Sequence, residues 1–293
     1  ISAEAPILVV KELASRKFPG GASVVARHIR SLGAQCSFLT VLGDDDEASF
    51  VENQLNDENI KIFAIRDHKR TTTYKRRYIV ENQKIFRVSR LSDSPINSVS
   101  ECALIDTFRD LSTQFDTVVI SDFGYGVLTD SIKQEIRSVC KRQGIKCLAD
   151  SQCSTQLTDI TDYKDCDVLT PNEKELRLSL RDSSSGIESL CHKLFDTTNC
   201  HNLVLTMAAA GFIAYEKTSS GIRSQAFPAI TVNPLDVAGA GDSLLAAIAV
   251  AMSSGYTLME SASIAACVTA LAVRKMGNTP IDILELQTFI NTF

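Results

Sequence analysis

With 293 residues, 44% of them hydrophobic and 22% charged, the chain is long and apolar enough for a full globular core, either one large α/β domain or a domain with a small appendage. A formal charge of −5, with the lysines and arginines dispersed, excludes a basic face for nucleic acid. No apolar run approaches the roughly 20 residues that span a bilayer; the longest, residues 244–252, reads as part of a helix, which excludes the membrane as a partner.

From the start, residues 1–11 read as an irregular lead followed by a short strand from Ile7 to Val10. Gly20 and Gly21 form a turn that feeds an amphipathic helix ended by Gly33; the pair is either a simple helix-start turn or backbone placed to touch a ligand. A strand over 36–41 follows, then Leu42-Gly-Asp-Asp-Asp46 and a helix through Leu55. Between Thr71 and Val88, β-branched and aromatic residues recur in two short runs about Glu81-Asn82-Gln83, which predicts a hairpin. Its lysines and arginines are either a solvated edge or an anion-binding face.

A helix over 99–114, a strand over 117–121, a helix from Asp130 to about Gly144 and a strand over 145–149 make successive β-α-β units, hence a parallel sheet with right-handed crossovers. Ser121-Asp122 and Asp150-Ser-Gln152 then fall at strand C-terminal ends, the edge where open α/β sheets bind ligands. Val168 to Glu175 is again strand then helix, with Pro171 near the first turn. Asn172 and Glu175 there are either a solvated helix start or an amide and a carboxylate suited to magnesium with retained water. Ser183-Ser184-Ser185-Gly186 is a loop, and residues 262–276 read as a small-residue helix before Gly277-Asn278.

The most informative stretch is Asn-Pro-Leu-Asp-Val-Ala-Gly-Ala-Gly-Asp at 233–242, followed by an apolar run from Ser243 to Met252 and a stop at Gly255. It predicts a strand end, a glycine loop and a helix. Unpaired amides at such a helix start, with the macrodipole behind them, stabilise an anion where the glycines make room. Asp242 stands at the same spot. It is either a helix cap or a base that takes a proton from an attacking hydroxyl. Nine cysteines without a Cys-x-x-Cys pair fit reduced thiols, and Cys191-His192 and Cys200-His201 match no zinc spacing. No signal or transit peptide is visible, and because the chain opens on Ile1 its natural start is expected upstream.

The 233–242 stretch resembles the Gly-Ala-Gly-Asp signature of the PfkB (ribokinase-like) carbohydrate kinases, with Ala238 where Thr is usual. The resemblance extends over nearly the whole chain. It is nearest the D-glycero-D-manno-heptose-7-phosphate kinases, the sugar-kinase half of bifunctional heptose-phosphate enzymes. It implies an α/β fold, a ribokinase-like three-layer α/β/α sandwich with a mainly parallel sheet and a small β-sheet lid. Residues 1–293 would form a single sugar-kinase domain, with lid segments at about 3–11 and 71–91. The family's opening strand, which ends in an Asp that holds the sugar, is expected before this point and is missing from the sequence.

The resemblance also assigns residues. Asp242 becomes the base, with the amides of Gly239, Ala240 and Gly241 as the anion hole. Gly20, Gly21, Lys75, Arg77, Gln83, Arg87 and Asp122 hold the substrate, and Asn82 also matches the subfamily. Asn172, Glu175, Thr206, Gly211 and Asp236 serve the nucleotide, with Asn172 and Glu175 ordering magnesium mostly through water. Three positions depart from the pattern: Val24 replaces an Asn, and Tyr125 and Gln152 replace lysines. Ala266 also stands where Asn is frequent. The activity implied is ATP-dependent phosphorylation of a sugar or sugar phosphate, first of all D-glycero-D-manno-heptose 7-phosphate at its anomeric hydroxyl, with ATP and Mg2+ as cofactors. A kinase of another sugar and a catalytically silent sugar- or nucleotide-binding relative are the alternatives. A cytoplasmic homodimer paired through the lid, with a nucleotidyltransferase domain after Phe293, is the expected setting.

Overall fold

The computed structural model describes residues 10–81, 83–152, 158–231 and 233–292. The expected strand at Ile7 to Val10, the lid segment at about 3–11, Asn82 and Phe293 lie wholly or mostly outside them; Val10 and Lys11 themselves carry no regular structure.

In chain order the elements are α1 (Ala22–Ser31), β1 (Ser37–Leu42), α2 (Asp46–Asp57), β2 (Lys61–Arg66), β3 (Tyr74–Val80), β4 (Gln83–Arg90), α3 (Ser98–Ser112), β5 (Thr117–Asp122), α4 (Asp130–Gln143), β6 (Lys146–Ser151), β7 (Val168–Leu169), α5 (Glu173–Ser179) and α6 (Ile187–Thr198). Then come β8 (Asn202–Thr206), β9 (Phe212–Thr218), β10 (Gly221–Phe227), α7 (Ala240–Ser253), α8 (Leu258–Ala272) and α9 (Ile283–Ile290). Six strands form one sheet in the order β10-β9-β8-β7-β6-β5, parallel from β5 to β8 and antiparallel beyond. β1 and β2 pair in parallel as a second, two-stranded sheet, and β3 with β4 makes the antiparallel hairpin.

Alternation along the strands builds three layers. On β6, Cys147 and Ala149 join a core with α3, α4, α5 and α6, whereas Leu148 between them joins the opposite core with α1, α7, α8 and α9. β8 repeats the pattern, with Leu203 and Leu205 on the first side and Val204 on the second. Period-two side chains on a sheet covered on both faces have nowhere but protein to go. This is a three-layer α/β/α sandwich with a mainly parallel sheet.

Most element ends fall within a residue or two of those the sequence predicts. Two helix starts move further. α8 begins at Leu258 rather than 262, because Thr257 and Glu260 close a reciprocal capping box there, and it ends at Ala272 rather than 276. α7 begins at Ala240, so the glycine loop itself supplies the first turn.

A cavity of about 1890 Å3 runs through the molecule and opens under the hairpin. β1 and β5 both line it, and among the described residues neither pairs with another strand on that side. The hairpin base is pinned to the body. The Gly43 amide donates to Thr72 Oγ1 (3.0 Å), the Thr72 amide to Asp45 Oδ2 (2.8 Å), and Arg70 donates to the carbonyls of Ser92 (2.9 Å) and Ser94 (2.5 Å). No helix among the described residues is long and apolar enough to cross a membrane.

Candidate active site

α7 is apolar nearly all round, since it lies between the sheet, α1 and α8. Residues Ser243 to Ala249 are all buried, which fixes the helix axis and therefore its tip. Gly239, at the N-cap, has φ 78°, and a Cβ there would sit 2.4 Å from Asn278 Oδ1. A side chain would both strain the backbone and push Asn278 away. The amides of Gly239, Gly241 and Asp242 have no acceptor among the described residues. The expected trio needs one correction: the Ala240 amide already donates to Val237 O, at a long 3.3 Å, because the turn into the helix closes there.

Asp242 is 7% exposed and faces the cavity. Its Oδ1 accepts a 3.0 Å hydrogen bond from Gln152 Nε2. Burial pushes its carboxyl up to about 7, against which the Gln152 bond pulls. Behind it lies Asp150, pushed up to about 8 by burial first, then by the charges of Glu175 and Asp242. Thr170 Oγ1 donates to Asp150 Oδ1 at 3.1 Å. Three buried carboxylates thus converge at the C-terminal ends of β6 and β7 and the tip of α7, and among the described residues neither Asp242 nor Asp150 forms an ion pair. The sequence places Asp150 at a ligand-binding sheet edge without giving it a role, and nothing in it points to Thr170.

Across the cavity stand the other predicted residues. Gly20 and Gly21 line it, with the Phe123 ring 3.6 Å from where a Cβ on Gly21 would be. Phe123 and Tyr125 stack at 6.4 Å, and Lys75 Nζ lies 5.9 and 5.0 Å from their ring centres. Asp122 also lines the cavity, but its oxygens are engaged by Tyr163 Oη (2.6 Å) and the Gly124 amide (2.8 Å). It shapes the 122–126 loop as it stands. Asp236 accepts from the Ala238 amide (3.1 Å) and from Lys84 of the hairpin (3.4 Å), so it ties glycine loop to lid. On the hairpin Arg77 is directly opposite Arg87, both exposed and both lining the cavity, and neither is in an ion pair among the described residues. Like charges opposite one another on a ladder repel unless an anion lies between them. Gln83, at the start of β4, is exposed and does not line the cavity.

Asn172, Glu175, Thr206 and Gly211 lie outside the cavity wall, with Glu175 behind it, close enough for its charge to act on Asp150. Asn172 and Glu175 are engaged with each other: Asn172 Oδ1 accepts from the Glu175 amide (2.9 Å) and Glu175 Oε2 from the Asn172 amide (2.8 Å). Thr206 forms a parallel bridge with Asn172, which places β8 beside that cap. Gly211 has φ 92°, and a Cβ there would meet Phe227 O at 2.1 Å, so close backbone packing alone requires glycine. No set of three or more His, Cys, Asp and Glu among the described residues is placed to hold a metal directly. The Asn172–Glu175 cap fits magnesium through retained water better than by direct ligation.

What these parts can do together is move a phosphoryl group onto an alcohol, and sugar kinases built on this sandwich form one class. The chain belongs to the pfkB family of carbohydrate kinases, whose description matches residues 5–283. It is 30% identical over 291 residues to a bifunctional protein HldE of Trichlorobacter lovleyi, covering 98% of this chain and 58% of that protein. A Campylobacter jejuni subsp. jejuni bifunctional protein HldE is 31% identical over 292 residues, covering 99% and 60%. The chain thus spans about three fifths of the length of these relatives. Among solved structures, phosphofructokinase-2 from Escherichia coli in complex with substrates and products superposes with a TM-score of 0.80 at 18% identity, covering 98% of this chain and 92% of that one. Ribokinase from Thermotoga maritima gives 0.76 at 20%, covering 97% and 91%. The fold is ribokinase-like.

Proposed function

We propose that the chain transfers the γ-phosphoryl group of ATP to a hydroxyl of a phosphorylated sugar, with D-glycero-D-manno-heptose 7-phosphate at its anomeric hydroxyl as the first substrate to try. The observation that carries the reading is Asp242: a buried carboxylate beside bare helix-tip amides, opening on a cavity whose far side presents Lys75, Arg77 and Arg87. Bound ATP supplies the phosphoryl group, and magnesium held through water near Asn172 and Glu175 would offset its charge.

In this reading Asp242 accepts the proton of the attacking hydroxyl. A carboxyl held near 7 suits that task at neutral pH, where it is ionised often enough and still basic enough. The amides of Gly239 and Gly241 stabilise charge on the transferring group, and the positive end of α7 adds to them. Arg77 and Arg87 bind the substrate's own phosphate, which relieves their mutual repulsion. The lid leaves apolar side chains in solvent, with Ile79, Val80, Ile85, Phe86 and Val88 between 39% and 49% exposed, which supports pairing with a second copy. Eight free cysteines among the described residues suit a reducing cytoplasm.

A second reading, a kinase of a different sugar, is favoured by one specific feature. Val24 is fully buried, with a methyl 3.6 Å from where a Cβ on Gly239 would lie, so an apolar group stands where a sugar-binding Asn would. A coupled ADP-release screen over sugars and sugar phosphates separates the two. Turnover with the heptose phosphate supports the first reading, turnover with another sugar alone supports the second, and none with any acceptor rejects both.

A further inference from the structure

Gln152 has no part in the proposed mechanism, yet among the described residues it is the one side chain bonded to the base. It follows β6 directly, and its own amide donates to Asp122 O at 2.8 Å, so its backbone is fixed to the neighbouring strand. It lines the cavity from that anchored position. We propose that Gln152 is a positioning residue for Asp242: its amide holds one carboxylate oxygen and leaves the other to take the proton of the acceptor hydroxyl. This rests on Asp242 being the base.

A neutral amide matters because of what surrounds it. Asp150 faces the pair from β6 and Glu175 from α5, both buried. Asp122 at the end of β5 is bonded to Tyr163, and Asp236 before α7 is bonded to Lys84 of the lid. Lys75 of the lid lies over the Phe123 and Tyr125 rings. None of these cations forms an ion pair with Asp242 among the described residues. Gln152 therefore orients the base without adding charge, and the same amide favours the ionised form of Asp150. A cation at this position would hold Asp242 ionised to lower pH and leave it a weaker base.

The test uses the full chain, with folding of each variant checked by circular dichroism. In Gln152→Met, which keeps length and loses the donor, kcat should fall at least about tenfold while the KM for ATP stays within about twofold. In Gln152→Lys, which restores a donor, kcat should recover at high pH and the acidic limb should shift down by about one pH unit or more. Carbon-13 titration of the Asp242 carboxyl, assigned by its loss in Asp242→Asn, should show the same downward shift with no substrate present. Wild-type kcat in Gln152→Met, or an unmoved Asp242 titration in folded Gln152→Lys, overturns the proposal. Failure of the kinase reading looks different: Asp242→Asn then turns over like wild type, while the titration still reports whether Gln152 contacts the carboxylate.

Discussion

The two sides of the cavity are built on opposite terms. On the sheet side, Asp242 on α7, Asp150 at the end of β6 and Glu175 on α5 are buried, with Gln152 half-buried beside them, and the elements that carry them cannot shift without disturbing the core. On the lid side, the charged groups ride on an exposed two-stranded hairpin whose ion pairs to the body are partly solvated, Arg76 with Glu12 and Arg90 with Glu47 toward its base and Lys84 with Asp236 nearer its tip. Such pairs contribute about 0.2–1 kcal/mol each, so the tip is free to move while its base stays pinned by Thr72 and Arg70. In the proposed mechanism, chemistry falls where geometry is most constrained, and charge recognition where adjustment is easiest.

Substitutions should separate the two sides. The largest effect belongs to the base: Asp242→Asn should lower kcat roughly a hundred- to ten-thousandfold and leave ATP affinity nearly unchanged, as read by turnover and calorimetric titration. A kcat within a few fold of wild type would remove the sheet side's claim to the chemistry. On the lid, Arg77→Ala or Arg87→Ala removes a charge-assisted contact of about 1.5–3 kcal/mol, which is roughly a ten- to hundredfold rise in KM for a phosphorylated acceptor with kcat little changed. An equal loss with an unphosphorylated sugar would mean the arginines do not read a phosphate.

Gly211→Ala tests a residue that the sequence assigns to the nucleotide and that packing alone explains. It should cost about 1–3 kcal/mol of stability through strain at its positive φ and the Phe227 carbonyl. Measured in denaturant, that loss should come with an unchanged KM for ATP in the folded fraction. Phe86→Lys on the lid should act most weakly, on association alone. It forfeits part of the roughly 1.5–3 kcal/mol of burying a large apolar side chain, visible as a shift toward monomer in sedimentation. A chain that is monomeric before the substitution would contradict pairing through the lid.

How much of this the sequence carries depends on the distance over which each feature is written. The glycine loop and Asp242 are local: small residues, an acid and an apolar helix within 20 positions of one another, so both motif and helix can be read directly. The strand ends at Asp122 and Gln152 follow from β-α-β spacing. Burial is not local. Asp150, Thr170, Glu175 and Asp242 meet only because β6 and β7 end, and α5 and α7 begin, at the same edge, and nothing near Asp150 in the chain marks it as buried. Gln152 shows as a missing lysine in the sequence and as a donor to the base only in the fold. Asp122 reads as a ligand contact, whereas Tyr163, 41 positions away, takes one of its oxygens. β2 went unread because Ile62 to Ile65 is a continuous apolar run with no alternation to mark it as a strand.

The central claim is that a buried Asp242 removes a proton during transfer, and the pH dependence of wild-type kcat/KM tests it most directly. A proton on Asp242 disables it, and burial raises the pH at which that proton leaves. The rate should therefore climb about tenfold per pH unit below about 7 and level off above it. A profile that is flat from pH 5.5 to 8.5, or that rises only near the ordinary carboxyl range, would contradict it.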